Sequence, residues 1–137
     1  MKIKYDLNLM NYRTMFENMT NASVKDCFLT NNLLLIIVNE NNIAKAIGRG
    51  GSNIKHLEQK LNKKIKIVEF NSNLSQFIRN LVNPIKVNDV KIENNMVQIS
   101  VNGVREKAQL IGRDSKNIHE LKEIVSLYFD VQDIKIV

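Results

Sequence analysis

The feature that most limits what this chain can fold into is a stretch that occurs twice. Ile47 to Ile54 reads IGRGGSNI, and Ile111 to Ile118 reads IGRDSKNI. Around these octamers Ala44, Ile47, Gly48, Arg49, Asn53, Ile54 and Leu57 match Ala108, Ile111, Gly112, Arg113, Asn117, Ile118 and Leu121 at one constant offset. The endings agree too, Lys66-Ile67-Val68 in one copy and Lys135-Ile136-Val137 in the other. Two units are too few for a solenoid, whose core needs more stacked repeats. A chain of 137 residues holds one ordinary domain or two small ones. The repeat favours two similar small α+β domains in tandem, residues 1–71 and 72–137.

Periodicity gives each half the same order of elements. Leu7 to Met19 sets Leu7, Met10, Met15 and Met19 among polar residues at helical spacing, with the methionines as core filler. Ser23 to Leu29 reads as a strand, Thr30-Asn31-Asn32 as a turn, and Leu33 to Val38 as a strand without a polar gap. Glu40 to Ile47 is a short helix stopped by Gly48. Ser52 to Leu61 is a second helix, with Ile54, Leu57 and Leu61 inward and Lys55, His56, Gln59 and Lys60 outward. Lys64 to Phe70 alternates as a half-buried strand does. The second half repeats this: a helix over Leu74 to Val82 ending near Pro84, and strands over Ile85 to Ile92 and Met96 to Val101 about an Asn94-Asn95 turn. Helices over Val104 to Ile111 and Ser115 to Phe129 and a last strand over Asp133 to Val137 complete it.

Charge and glycine coincide. The net charge is +6. Between Ile43 and Val68 lie seven basic residues, Lys45, Arg49, Lys55, Lys60, Lys63, Lys64 and Lys66, against one acid, Glu58, so this window alone carries the whole excess. Three of the five glycines, Gly48, Gly50 and Gly51, stand inside it. A bare turn feeding a helix N-terminus, with Arg49 in the turn and Lys45 and Lys55 beside it, suits a phosphate. Lys60, Lys63 and Lys64 surround a helix end and read as a solvated face that offsets the dipole. A Walker A loop is absent, and Gly48-Arg49-Gly50 is no dinucleotide fingerprint, because its sixth position is Asn53 and a helix precedes it. His56 and His119 read as surface or groove-rim residues without metal partners. Cys27, the one cysteine, gives neither disulfide nor zinc site and suits a reducing cytoplasm. No paired carboxylates and no Ser/His/Asp or Cys/His set point to an enzyme. An apolar content of 44% supports a packed core. No apolar run approaches the roughly 18 residues of a membrane span, and MKIKYDLNLM lacks the marks of a signal peptide.

A Gly-x-x-Gly turn between two helices, with a strand on either side, is the arrangement with which KH domains clamp the backbone of single-stranded RNA. AIGRGGSNIKHLEQKLNKKIKIVEF, Ala46 to Phe70, resembles the KH core, and the order of elements resembles the type II KH domain. Two such units back to back resemble the archaeal NusA-like transcription factors. The resemblance implies that Gly48, Arg49, Gly50 and Gly51 hold the sugar-phosphate backbone and that Ile47 and Ile54 floor an apolar groove. It puts Lys45, Ser52, Asn53 and Lys55 in reach of phosphate or sugar, and Ile65 to Ile67 on the far wall. It implies single-stranded RNA as ligand, RNA polymerase as partner, and no cofactor and no membrane. The role it implies is in transcription elongation or termination, and a cytoplasmic monomer is expected. A ribosome-associated or RNP-assembly KH protein is the alternative. The aromatic residues do not gather near the turns, which speaks against the stacking platform of an RRM.

The second copy departs from that pattern. In Gly112-Arg113-Asp114-Ser115, a carboxylate stands where phosphate is expected and a Cβ where the ligand backbone would pass. Val104 to Val137 holds six basic and six acidic residues. The second turn is therefore expected to bind RNA weakly or not at all by itself, with Arg113 and Lys116 as auxiliary contacts and Asp114 or Ser115 capping its own helix.

Overall fold

Six consecutive apolar residues, Leu33–Val38 (β2), form the middle strand of a three-stranded sheet between Val24–Thr30 (β1) and Lys64–Glu69 (β3). The computed structural model describes residues 7–30 and 33–137. The predicted Asn31-Asn32 turn and the position of the Leu7 side chain lie outside that description. β2 runs antiparallel to β1 and parallel to β3, with Ile36 opposite both Cys27 and Ile67. Leu34 to Val38 are buried throughout, as an uninterrupted apolar run in a central strand requires. Parallel neighbours need a crossover. Here it is Ile43–Ile47 (α2), a 3₁₀ turn at Arg49–Gly51 and Ser52–Leu61 (α3). The glycine turn therefore sits midway through the crossover.

The helix Leu7–Thr20 (α1) closes the core with Leu9 and Phe16, which join Val24, Cys27, Leu34, Ile36, Ala46, Leu57 and Ile65. Tyr12, Met15 and Met19 flank them. Met10, expected inside, is 66% exposed. At 100° per residue it points a quarter turn or more from the Leu9–Phe16–Thr20 line.

Between Asn71 and Ser72 the chain divides into two compact units. The second unit repeats the topology with Leu74–Val82 (α4), Asp89–Glu93 (β4), Met96–Ser100 (β5), Val104–Ile111 (α5), Lys116–Ser126 (α6) and Asp133–Ile136 (β6). β5 lies between antiparallel β4 and parallel β6. α4 starts under the Asn73 side chain, which accepts from the Gln76 N–H at 3.0 Å, and buries Phe77, Ile78, Leu81 and Val82. Asn94 and Asn95 take φ 51° and 63°, the two positive angles of a type I′ hairpin, and pair Glu93 with Met96.

Three predicted boundaries move by three residues or more; the first is the helix expected from Glu40, which begins at Ile43. The strand expected from Ile85 begins at Asp89, because the preceding residues are drawn back to α4. The Ile85 N–H donates to the Val82 carbonyl at 2.9 Å, and Arg79 Nη1 donates to the Val87 carbonyl at 2.8 Å. The helix expected to reach Phe129 ends at Ser126. Its last N–H groups, on Leu127 and Tyr128, bond three residues back, and Tyr128 and Phe129 turn to the Phe77 ring at 5.8 and 5.9 Å.

Candidate nucleic-acid interface

The four residues of the first turn divide into two kinds. Gly48 has φ 74° and ψ 172°, a region open to glycine almost alone. A Cβ added there would meet Asn53 Nδ2 at 2.7 Å. That amide donates to the Lys45 carbonyl at 3.0 Å, tying the end of α2 to the first turn of α3. The second turn keeps the device: Gly112 has φ 76° and ψ 171°, and Asn117 Nδ2 donates to the Gln109 carbonyl at 2.9 Å. Gly48 and Asn53 therefore build the turn, with one Asn53 amide hydrogen engaged by the Lys45 carbonyl.

Gly50 and Gly51 differ. Their angles, φ 63°, ψ 22° and φ 76°, ψ 18°, are left-handed, and nothing stands within 4 Å of an added Cβ at either. In the second turn Asp114 and Ser115 hold the same conformation with φ 55° and 60°. Elsewhere among the described residues the chain fills left-handed positions with asparagine, at Asn21, Asn41, Asn62, Asn94 and Asn95. The conformation thus does not demand glycine at 50 and 51; the empty space above them is what glycine adds.

That space opens on the start of α3. No side chain caps this helix, so its first N–H groups face outward with the positive end of the dipole. Arg49, Gly50, Ser52, Lys45 and Lys55 are exposed around it, while Ile47 and Ile54 are half-buried beneath. The lone acid of the window, Glu58, accepts from the Ile65 N–H at 3.0 Å. β3 is an edge strand, paired on one side with β2. Ile65 is spent on the core, leaving Lys66 and Ile67 half-buried along the edge. In the second turn Arg113, Asp114 and Lys116 are exposed. Ser115 occupies the N-cap of α6 without making a capping bond, so the expected cap is not formed. Among the described residues no three His, Cys, Asp or Glu gather as metal ligands, and no helix is long and apolar enough to cross a membrane.

The KH domain model matches residues 12–97, from α1 through the first unit into β5. The "Probable transcription termination protein NusA" of Methanococcus vannielii is 34% identical over all of this chain, which spans 81% of that protein. This chain belongs to the KH-domain family of archaeal NusA-like proteins. The protein of the same name from Thermoplasma acidophilum is 31% identical over 98% of this chain and 96% of its own length. The crystal structure of APE1850 superposes with a TM-score of 0.73 at 31% identity, covering 97% of this chain and 100% of that one.

Sequence reasoning missed one feature of this KH-family chain. A groove of about 550 Å³ lies between α1 and α3, lined by Asn11, Met15, Asn18 and Met19 on one side and His56 and Lys60 on the other. Its walls lie far apart in sequence, so no local motif announces it. The one available signal was the asparagine-rich face of the first helix.

Proposed function

We propose that this chain is a single-stranded RNA-binding protein made of two tandem type II KH domains, residues 1–71 and 72–137. It grips the RNA backbone at Gly48-Arg49-Gly50-Gly51 and acts without catalysis. One observation carries the reading. Left-handed positions that this chain elsewhere gives to asparagine are left bare at Gly50 and Gly51, over an uncapped helix start in its most basic region. Arg49, Lys45, Ser52 and Lys55 supply donors to phosphate and sugar, and Ile47 and Ile54 the apolar floor. The second turn contributes Arg113 and Lys116 as weaker contacts, since Asp114 repels phosphate. Relatives named as probable transcription termination proteins support a role in transcription termination; within this proposal the chain acts on nascent transcripts with RNA polymerase, in the cytoplasm, as a monomer.

Fluorescence anisotropy with labelled single-stranded RNA tests this. Affinity falls with salt, by about −0.7 in log–log slope per neutralised phosphate. Gly50→Asp removes most binding and leaves the fold intact by circular dichroism, at a cost of no more than about 1–2 kcal/mol of left-handed strain, because aspartate already holds this conformation at position 114. A flat salt dependence, a preference for duplex, or equal losses from Gly50→Asp and Gly112→Asp overturn the reading. Recovery of polymerase subunits rather than ribosomal particles with the tagged protein checks the partner.

A further inference from the structure

Along α3, Ser52, His56 and Lys60 follow one another at intervals of four and so stand in a line down one side of the helix. The line begins at the glycine turn, where Ser52 Oγ bounds the space over Gly48. It ends about 12 Å farther along the axis, at 1.5 Å per residue. There it forms one wall of the groove of about 550 Å³ between α1 and α3. Asn11, Met15, Asn18 and Met19 form the other wall, and no lining residue is acidic. The one carboxylate of α1, Glu17, is held away by Arg13 Nε at 3.7 Å and by the Val24 N–H at 3.1 Å. Among the described residues Lys60 and His56 have no carboxylate partner, and the side chains of Asn11 and Asn18 make no hydrogen bond. The second unit breaks the line: its counterparts are Lys116, Glu120 and Ile124, and Ile124 is only 3% exposed.

We propose that this groove is a subsite for the RNA strand as it continues from the glycine turn; the inference rests on the RNA reading above. A KH turn clamps about four nucleotides, and a longer strand follows the Ser52–His56–Lys60 line. Lys60, with His56, takes a phosphate beyond those at the turn. The unpaired Asn11 and Asn18 amides offer both donors and acceptors to a base edge. Met15 and Met19 present polarisable apolar surface to its ring.

The test measures anisotropy of an RNA tetramer and an RNA decamer of one repeated base on the full chain. The decamer binds about tenfold tighter, the scale of one charge-assisted hydrogen bond. Lys60→Glu removes that gain, flattens the decamer's salt slope by about 0.7 and leaves the tetramer unchanged. Asn18→Trp, which fills the groove without changing its charge, acts with the same length selectivity. Gly50→Asp weakens both lengths. Decamer affinity that survives both groove variants, or a Lys60→Glu loss equal for the two lengths, overturns the subsite and spares the turn. Failure of both lengths to bind the unaltered chain overturns the RNA reading and the subsite together.

Discussion

Replacing Gly48 by alanine separates what the turn needs for folding from what it offers a ligand. At φ 74°, ψ 172° the residue lies where an L-side chain is strained, at a cost of about 1–3 kcal/mol. The added Cβ would also stand 2.7 Å from Asn53 Nδ2 and 2.8 Å from Asn53 Cγ. The asparagine can swing clear, but it then gives up its 3.0 Å bond to the Lys45 carbonyl, a loss of about 1 kcal/mol. Gly48→Ala should therefore destabilise the first unit by about 2–4 kcal/mol. At Gly50 an added Cβ meets nothing within 4 Å, so alanine there incurs only the left-handed penalty of about 1–2 kcal/mol. Urea denaturation followed by circular dichroism measures both. A double-mutant cycle isolates the side-chain part: in an Asn53→Ala background, Gly48→Ala should cost about 1 kcal/mol less than in the unaltered chain. Equal losses at positions 48 and 50, or a cycle without coupling, would refute the division of the turn into a structural and an open part.

Three further outcomes follow from the same geometry. Gly112→Ala should destabilise the second unit about as much as Gly48→Ala does the first, by about 2–4 kcal/mol, while RNA affinity measured by anisotropy barely changes. Asp114→Gly combined with Ser115→Gly should strengthen RNA binding severalfold, with urea stability within about 1 kcal/mol of the parent, since relieved left-handed strain offsets the extra freedom of glycine in the unfolded chain. Cys27 is 5% exposed, and burial pushes its thiol up to about 12 from an ordinary 9.0. A thiol-specific disulfide reagent should then leave the folded protein unmodified and react fully in denaturant. As pH rises from 9.0 towards 12 the unfolded thiol ionises first and the unfolded chain binds fewer protons. Stability should fall across that window, and less so in Cys27→Ala.

Elements whose pattern is set by their own residues were legible in the sequence. Leu33–Val38, Ser52–Leu61, Leu74–Val82 and Val104–Ile111 have the bounds that periodicity predicts. The glycine turn at Gly48–Gly51 and the Asn94-Asn95 hairpin were legible as well, because glycine and asparagine mark them, whereas the left-handed Asn21, Asn41 and Asn62 were not singled out. What escaped depends on partners distant along the chain. Residues Ile85 to Asn88 alternate like a strand, yet Arg79 and the end of α4 hold them back. Met10 fits an apolar count but not the Leu9–Phe16 face. The structural duty of Asn53, tying the Lys45 carbonyl to the start of α3, shows only once that carbonyl is placed beside it. The α1–α3 groove joins residues such as Asn11 and His56, which no window on the sequence brings together.

The two turns share one backbone and present two surfaces. Their first positions, Gly48 and Gly112, have angles and neighbours that exclude a Cβ, so folding alone accounts for glycine in both. Their third and fourth positions tolerate a Cβ, as Asp114 and Ser115 demonstrate at the same angles. Folding is therefore indifferent to what stands at 50 and 51, within about 1–2 kcal/mol of left-handed strain. An incoming phosphate is not indifferent, since a carboxylate at the uncapped start of a helix cancels the field that would attract it. The chain has put its net charge of +6 around the turn that stays bare and left the carboxylate-bearing turn in neutral surroundings. Side-chain loss and charge gain at the first turn, and the reverse at the second, have no common cause in packing. Both act in the same direction on an anion, and that shared direction is what supports the proposal that the first turn grips RNA while the second only retains the fold.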